Sequence, residues 1–152
     1  MKLTLQKEIQ ILKEVSLFRS MKTDELKILA FTAKNYIFEP GEIIVNEGDE
    51  GDEAFIIYSG QVEVSRRGSE GGSITLNILG AGDMFGELAL FGEGFRTATV
   101  KAIEETFVAV ISKERLYEII REFPDIGIEM LRVQTQRFRM AENRLIDHMG
   151  KK

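Results

Sequence analysis

The chain has 152 residues, 43% hydrophobic and 30% charged, with a net charge of −5, no cysteine and one histidine, His148. That composition predicts one domain, or one domain with a helical arm, and excludes disordered, collagen-like and low-complexity chains. It also excludes disulfides, thiolate zinc sites and thiol nucleophiles, and it leaves a histidine triad or a multi-histidine metal site without its parts.

In chain order, Leu5, Ile9 and Leu12, with Ile11 and Val15, recur at helical spacing, which predicts a helix over residues 5–18. A second helix is expected with Thr23 as N-cap. Asp24 and Glu25 stand in its first turn, and Leu26, Leu29 and Ala30 face inward. Residues 1–34 are thus read as N-terminal helices.

The texture changes at residue 35. Twelve of the 14 glycines lie between 41 and 94. Strand-like runs share this region: Ile43–Val45, Ala54–Tyr58, Gln61–Val64 and Ile74–Leu79, continued by Thr97–Val100 and Phe107–Ile111. Short strands punctuated by glycine argue for an antiparallel sandwich or barrel over residues 35–112. The acidic stretch Glu47–Glu53 lacks the ligand spacing of a calcium loop and is read as a solvated hairpin turn. Gly80–Gly86 misses the dinucleotide fingerprint, because Phe85 stands at the third glycine position.

Residues 113–149 return to helix. Ser112 is the expected N-cap of Lys113–Glu122, and Phe123-Pro124 breaks the chain before a longer helix over 125–149. On that helix Ile128, Leu131, Thr135, Phe138, Glu142, Leu145 and Met149 follow a 3-4-3-4 spacing. Two readings stand: a short coiled-coil seam joining two copies, or a helix packed on its own domain. Residues 126–152 carry a local charge of +3 against −8 for the remainder. The acidic whole predicts no direct nucleic-acid contact. No apolar run approaches the ~20 residues of a membrane helix. No signal peptide is visible, so a cytoplasmic setting is expected.

The stretch that carries chemistry is residues 85–100, Phe-Gly-Glu-Leu-Ala-Leu-Phe-Gly-Glu-Gly-Phe-Arg-Thr-Ala-Thr-Val. Gly86 lets backbone approach a ligand closely. The short helical run Glu87–Leu90 offers free N–H groups to an anion. Arg96 can grip two phosphate oxygens at once. Glu87, in an apolar run, needs a sugar hydroxyl or Arg96 as partner if buried. On these residues alone, a sugar-phosphate site and a glycine-rich turn with a surface Glu–Arg pair both remain open.

The same stretch resembles the phosphate-binding cassette of the cyclic nucleotide-binding domain family, the type found in catabolite activators and protein kinase regulatory subunits. That cassette reads phenylalanine-glycine-glutamate, an aliphatic residue, alanine, leucine, a linker, then arginine, any residue, alanine, threonine or serine, and valine. Every fixed position is present in residues 85–100. Glu39-Pro40-Gly41-Glu42 before the first strand-like run and Gly82-Asp83 before the cassette are similar to the family as well.

The resemblance implies a mainly β fold with flanking helices: an eight-stranded antiparallel β-roll, or jelly roll, with N-terminal helices and two C-terminal helices. It implies cAMP or cGMP as ligand and no metal. Glu87 would accept the ribose 2′-hydroxyl, Arg96 would pair with the cyclic phosphate, and N–H groups at Leu88 and Ala89, beside Gly86, would cradle its oxygens. Val64 and Leu76 are candidates for the base pocket. Thr97 stands where cGMP-preferring members often carry threonine. Catabolite activators use a threonine-serine pair on the last helix to contact adenine. An ungapped match puts Ala141-Glu142 there, which leaves Arg139, Asn143 or Arg144 as candidate caps for the base.

No helix-turn-helix segment of the kind those activators carry is present in the sequence. The expected function is a non-enzymatic regulatory sensor in which ligand repositions the last helix to control an effector. The alternatives are a degenerate β-roll serving as a scaffold or as sensor of another effector, and a cupin-type metalloenzyme, which would need strand histidines the chain lacks.

Overall fold

The structure is a computed structural model that describes residues 3–150; Met1, Lys2, Lys151 and Lys152, which enter the charge balance above, lie outside the described residues. Thr4 starts the first helix by accepting a hydrogen bond from the Lys7 N–H at 3.2 Å, and α1 runs Leu5–Glu14. It stops short of residue 18. Val15 is extended, and Ser16–Phe18 forms a single 3-10 turn that drives Leu17 and Phe18 into the core. Helix α2 spans Thr23–Thr32 with Lys22, not Thr23, as its N-cap. The reason is Glu25, whose Oε1 reaches back to accept from the Lys22 N–H at 2.8 Å.

Eight strands follow: β1 Lys34–Phe38, β2 Ile43–Val45, β3 Glu53–Ser59, β4 Gln61–Arg67, β5 Ser73–Gly80, β6 Met84–Phe85, β7 Thr99–Ala102 and β8 Thr106–Ser112. They pair antiparallel into two four-stranded sheets, ordered β1-β8-β3-β6 and β2-β7-β4-β5. This is the expected antiparallel roll.

The central strands of the first sheet, β3 and β8, are buried on both faces, whereas its edge strand β1 is largely exposed. Alternate residues Ala54, Ile56 and Tyr58 of β3 and Phe107, Ala109 and Ile111 of β8 meet the helices through Leu12, Phe18, Leu26, Leu116 and Ile126. The residues between them, Phe55, Ile57, Val108 and Val110, face the roll interior with Val62, Leu79, Phe85 and Val100. Two covered faces explain why these strands read as continuous apolar runs rather than alternating ones.

The stretch Glu47–Glu53 is not a hairpin turn. It joins β2 in one sheet to β3 in the other, so it crosses between layers. Glu39–Glu42 forms the turn between β1 and β2, closed by the Glu42 N–H donating to the Glu39 carbonyl at 3.0 Å.

A four-residue helix, α3, occupies Leu88–Phe91. Ser112 caps α4, Lys113–Glu122, by accepting from the Arg115 N–H at 3.2 Å. Helix α5 runs unbroken over Pro124–Gly150. Its first turns dock through Ile126 and Met130. The seam residues are exposed, with Leu131 at 70% and Phe138 at 67%, so beyond Met130 that stripe does not pack on its own domain.

Candidate functional site

Strand β6 delivers the chain to Gly86, whose φ of +83° is costly for any residue with a side chain. A Cβ there would lie 2.8 Å from Nη1 of Arg96 and 3.2 Å from the Glu53 carbonyl oxygen. Glu87 follows as N-cap of α3 and is 3% exposed; Arg96 is 7% exposed. Nη1 of Arg96 donates to the carbonyls of Glu53 and Gly86, both at 2.9 Å. Its guanidinium carbon lies 5.7 Å from the centre of the Phe55 ring, which stacks on Phe85.

The β2–β3 crossover braces the same segment. Arg96 N–H donates to Asp49 O at 2.7 Å, Gly48 N–H to Arg96 O at 2.8 Å and Gly51 N–H to Gly94 O at 2.8 Å. A Cβ on Gly51 would sit 2.1 Å from Nε of Arg96, so only glycine fits there with the guanidinium in place.

These groups floor a cleft that, with its mouth, encloses about 530 Å³. Gly86, Glu87, Leu88, Ala89, Arg96 and Thr97 all line it, and Val64 forms part of an apolar wall with Val45, Leu79 and Val100. Leu76, Arg139 and Asn143 do not line it. The register explains Leu76: Val64 pairs with Asn77, which does line the cleft, so alternation along β5 turns Leu76 to the other face. Arg139 and Asn143 are exposed on α5. Arg144 donates instead to the Leu76 carbonyl at 2.5 Å.

Two residues beyond those anticipated reach the site from α5. Gln134 Nε2 donates to Oε1 of Glu87. Arg137 Nη1 stands 3.6 Å from the same oxygen, while its Nη2 donates to the Met84 carbonyl at 3.0 Å. Met130, Gln134 and Arg137 share one helical face, so the sequence did hold a signal in their 4-3 spacing from the buried Met130. The apolar seam on another face masked it.

Burial pushes the Glu87 carboxyl above the usual carboxylate range. Its own backbone N–H, the Arg137 and Arg96 charges and the Gln134 amide pull the other way. Burial likewise lowers the Arg96 guanidinium from its ordinary value, against the charges of Glu53, Asp52 and Glu87. The second carboxylate oxygen, Oε2 of Glu87, is buried and has no hydrogen-bond partner. A buried acceptor left open is costly unless something arrives to donate to it. Glu87, with this open oxygen, and Arg96 stand in the lining of one cleft.

A roll with a buried carboxylate and a buried guanidinium at the foot of an apolar-walled cleft defines a small-ligand-binding module. A family model for the cyclic nucleotide-binding domain matches residues 37–123, more than half of the chain. The chain is 33% identical over 138 residues to a CRP-like cAMP-activated global transcriptional regulator of Mycobacterium tuberculosis, an alignment covering 91% of this chain and 62% of that one. It is 34% identical over 109 residues to a cAMP-dependent protein kinase regulatory subunit of Yarrowia lipolytica, covering 72% and 28%.

Among solved structures, a cyclic nucleotide-binding domain from Methylobacillus flagellatus matches with a TM-score of 0.78 at 27% identity, over 95% of this chain and 83% of that one. The regulatory domain of Toxoplasma gondii PKA with cAMP matches with a TM-score of 0.75 at 25% identity, over 86% and 50%. The chain belongs to the cyclic nucleotide-binding domain family. It spans less than two thirds of the length of these two curated relatives, which are themselves regulators.

Proposed function

We propose that this chain is a regulatory sensor that binds cAMP in preference to cGMP, does no chemistry on it, and uses occupancy of the cleft to reposition α5 and so control an effector. One observation carries the reading: Glu87, whose Oε2 is buried without a partner, lines the same cleft as Arg96. A ribose 2′-hydroxyl would supply the missing donor. Arg96 would pair with the single negative charge of the cyclic phosphate, a strong charge-assisted contact. N–H groups at Leu88 and Ala89, in the first turn of α3, have no intrahelical partner and suit the phosphate oxygens. Val64, with Val45 and Leu79, would pack against the base.

The preference for cAMP rests on the two curated relatives described above, whose names specify it. The Thr97 hydroxyl can favour cGMP only by the roughly 0.5–1.5 kcal/mol of one hydrogen bond. The reading assigns no catalytic residue and no metal, and among the described residues no three His, Cys, Asp or Glu side chains stand together as ligands. It places the module in the cytoplasm, in keeping with a chain free of cysteine. Among the described residues no helix is long and apolar enough to cross a membrane.

Helix α5 is bonded to the residue that would hold the sugar, through Gln134 and Arg137. A ligand that binds better when α5 is docked shifts the helix toward that state. Hydrogen exchange tests this directly. On addition of cAMP, exchange over residues 130–147 should slow more than over the helix at 24–33. Equal behaviour of the two segments would contradict a ligand-controlled α5.

A further inference from the structure

Both contacts from α5 to Glu87 fall on one oxygen. Gln134 donates to Oε1, Arg137 approaches Oε1, and Oε2 is left buried and bare. The two contacts differ in kind. Arg137 Nη1 at 3.6 Å is beyond hydrogen-bond length, and this side chain is anchored elsewhere, on the Met84 carbonyl. Gln134 therefore supplies the hydrogen bond from α5 that helps to set how the carboxylate is turned, alongside the backbone N–H of Glu87 itself. A carboxylate rotates freely about its last torsion unless something holds it, since that torsion has broad, shallow wells. Being neutral, the amide also leaves the full charge of Glu87 available to a second donor, and hydroxyl bonds to a charged oxygen are the stronger ones.

We infer that Gln134 is a positioning residue: by donating to Oε1 of Glu87 it commits that oxygen to α5 and presents Oε2 to the 2′-hydroxyl of a bound ribose. The assignment rests on the proposed function. It makes sugar recognition and α5 docking share one carboxylate, so each stabilises the other. The glutamine also serves as a selector for ribose over deoxyribose, a role separate from packing the helix.

The experiment compares Gln134→Leu, which keeps similar bulk and removes the N–H, with the wild type. Affinities for cAMP and for 2′-deoxy-cAMP are measured by calorimetry. If Gln134 only packs α5, both nucleotides lose affinity equally and their ratio stays fixed. Positioning predicts that the preference for the ribose form shrinks by about 3- to 10-fold. A second readout needs no nucleotide: the carbon-13 NMR titration of the Glu87 carboxyl should move to higher pH in Gln134→Leu, because a donor to the charged form has gone. A wild type that discriminates, paired with a variant of unchanged ratio or unchanged titration, overturns the assignment and leaves the proposed function standing. A wild type that binds neither nucleotide overturns both.

Discussion

Glu8, on α1, is a carboxylate buried against the first sheet, far from the cleft in sequence and on the helical side of the wall. It accepts from Asn35 Nδ2 at 2.7 Å, and the Tyr58 hydroxyl lies buried without a partner. Burial raises its carboxyl above the usual range, the Asn35 bond opposing; burial, and then the Glu8 charge, push the Tyr58 hydroxyl up. The sign follows from linkage. A carboxyl whose folded-state value is raised binds a proton more readily in the native chain, so its ionisation weakens the fold as pH climbs through that value, and the penalty vanishes in acid. Glu8→Gln keeps the acceptor for Asn35 and removes the charge. It should raise Tm at neutral pH, by about 2–4 °C for each kcal/mol relieved, with the gain closing toward about pH 4. Thermal melts across that range check it, and a lower Tm at neutral pH would show that the Glu8 charge is satisfied in the fold.

At the scale of elements, the crossover from β2 to β3 and the cassette act as one unit, since three backbone hydrogen bonds tie residues 48–51 to residues 94–96. Gly51 has an ordinary backbone, so Gly51→Ala adds only a methyl group aimed at Nε of Arg96. The guanidinium must shift, and that should weaken nucleotide binding about 10-fold or more, as a misplaced charged contact does, while Tm changes little. Unaltered affinity in Gly51→Ala would show that Arg96 needs no such placement. The cassette itself was legible, because its residues are contiguous and each has a local backbone or charge requirement. Gly86, Glu87 and Arg96 come together as their spacing implied. The crossover was misread as a hairpin, because acidic and glycine residues mark a turn without saying which sheet each flank joins. Gln134 and Arg137 were missed for the complementary reason: polar side chains on a buried face do not register in an apolar pattern. Leu76 lies one residue from Asn77, which lines the cleft, and one residue along a strand reverses the face.

Across the whole molecule, the first sheet is a shared wall between two cores, with the helices on one side and the cleft-bearing roll on the other. Helix α5 touches this body through the polar residues Gln134, Arg137 and Arg144 beyond its first turns, and on another face it carries Ile128, Leu131, Phe138, Leu145 and Met149 exposed along one stripe. That stripe suits a second copy of the chain meeting at heptad spacing. Sedimentation of the wild type should show a dimer and Leu131→Asp a monomer; a wild type that stays monomeric at high concentration contradicts the pairing. The central claim, that the cleft is built for a cyclic nucleotide held by Glu87 and Arg96, is tested most directly by calorimetric titration of the wild type and Arg96→Ala with cAMP and cGMP. The account predicts saturable binding of one nucleotide per chain, tighter for cAMP, and weakened about 30- to 1000-fold in a variant that remains folded, the effect of stripping a charged partner from a buried contact. Absence of binding by the wild type, or the same affinity in Arg96→Ala, would contradict it and leave the roll as a scaffold or a sensor of something else.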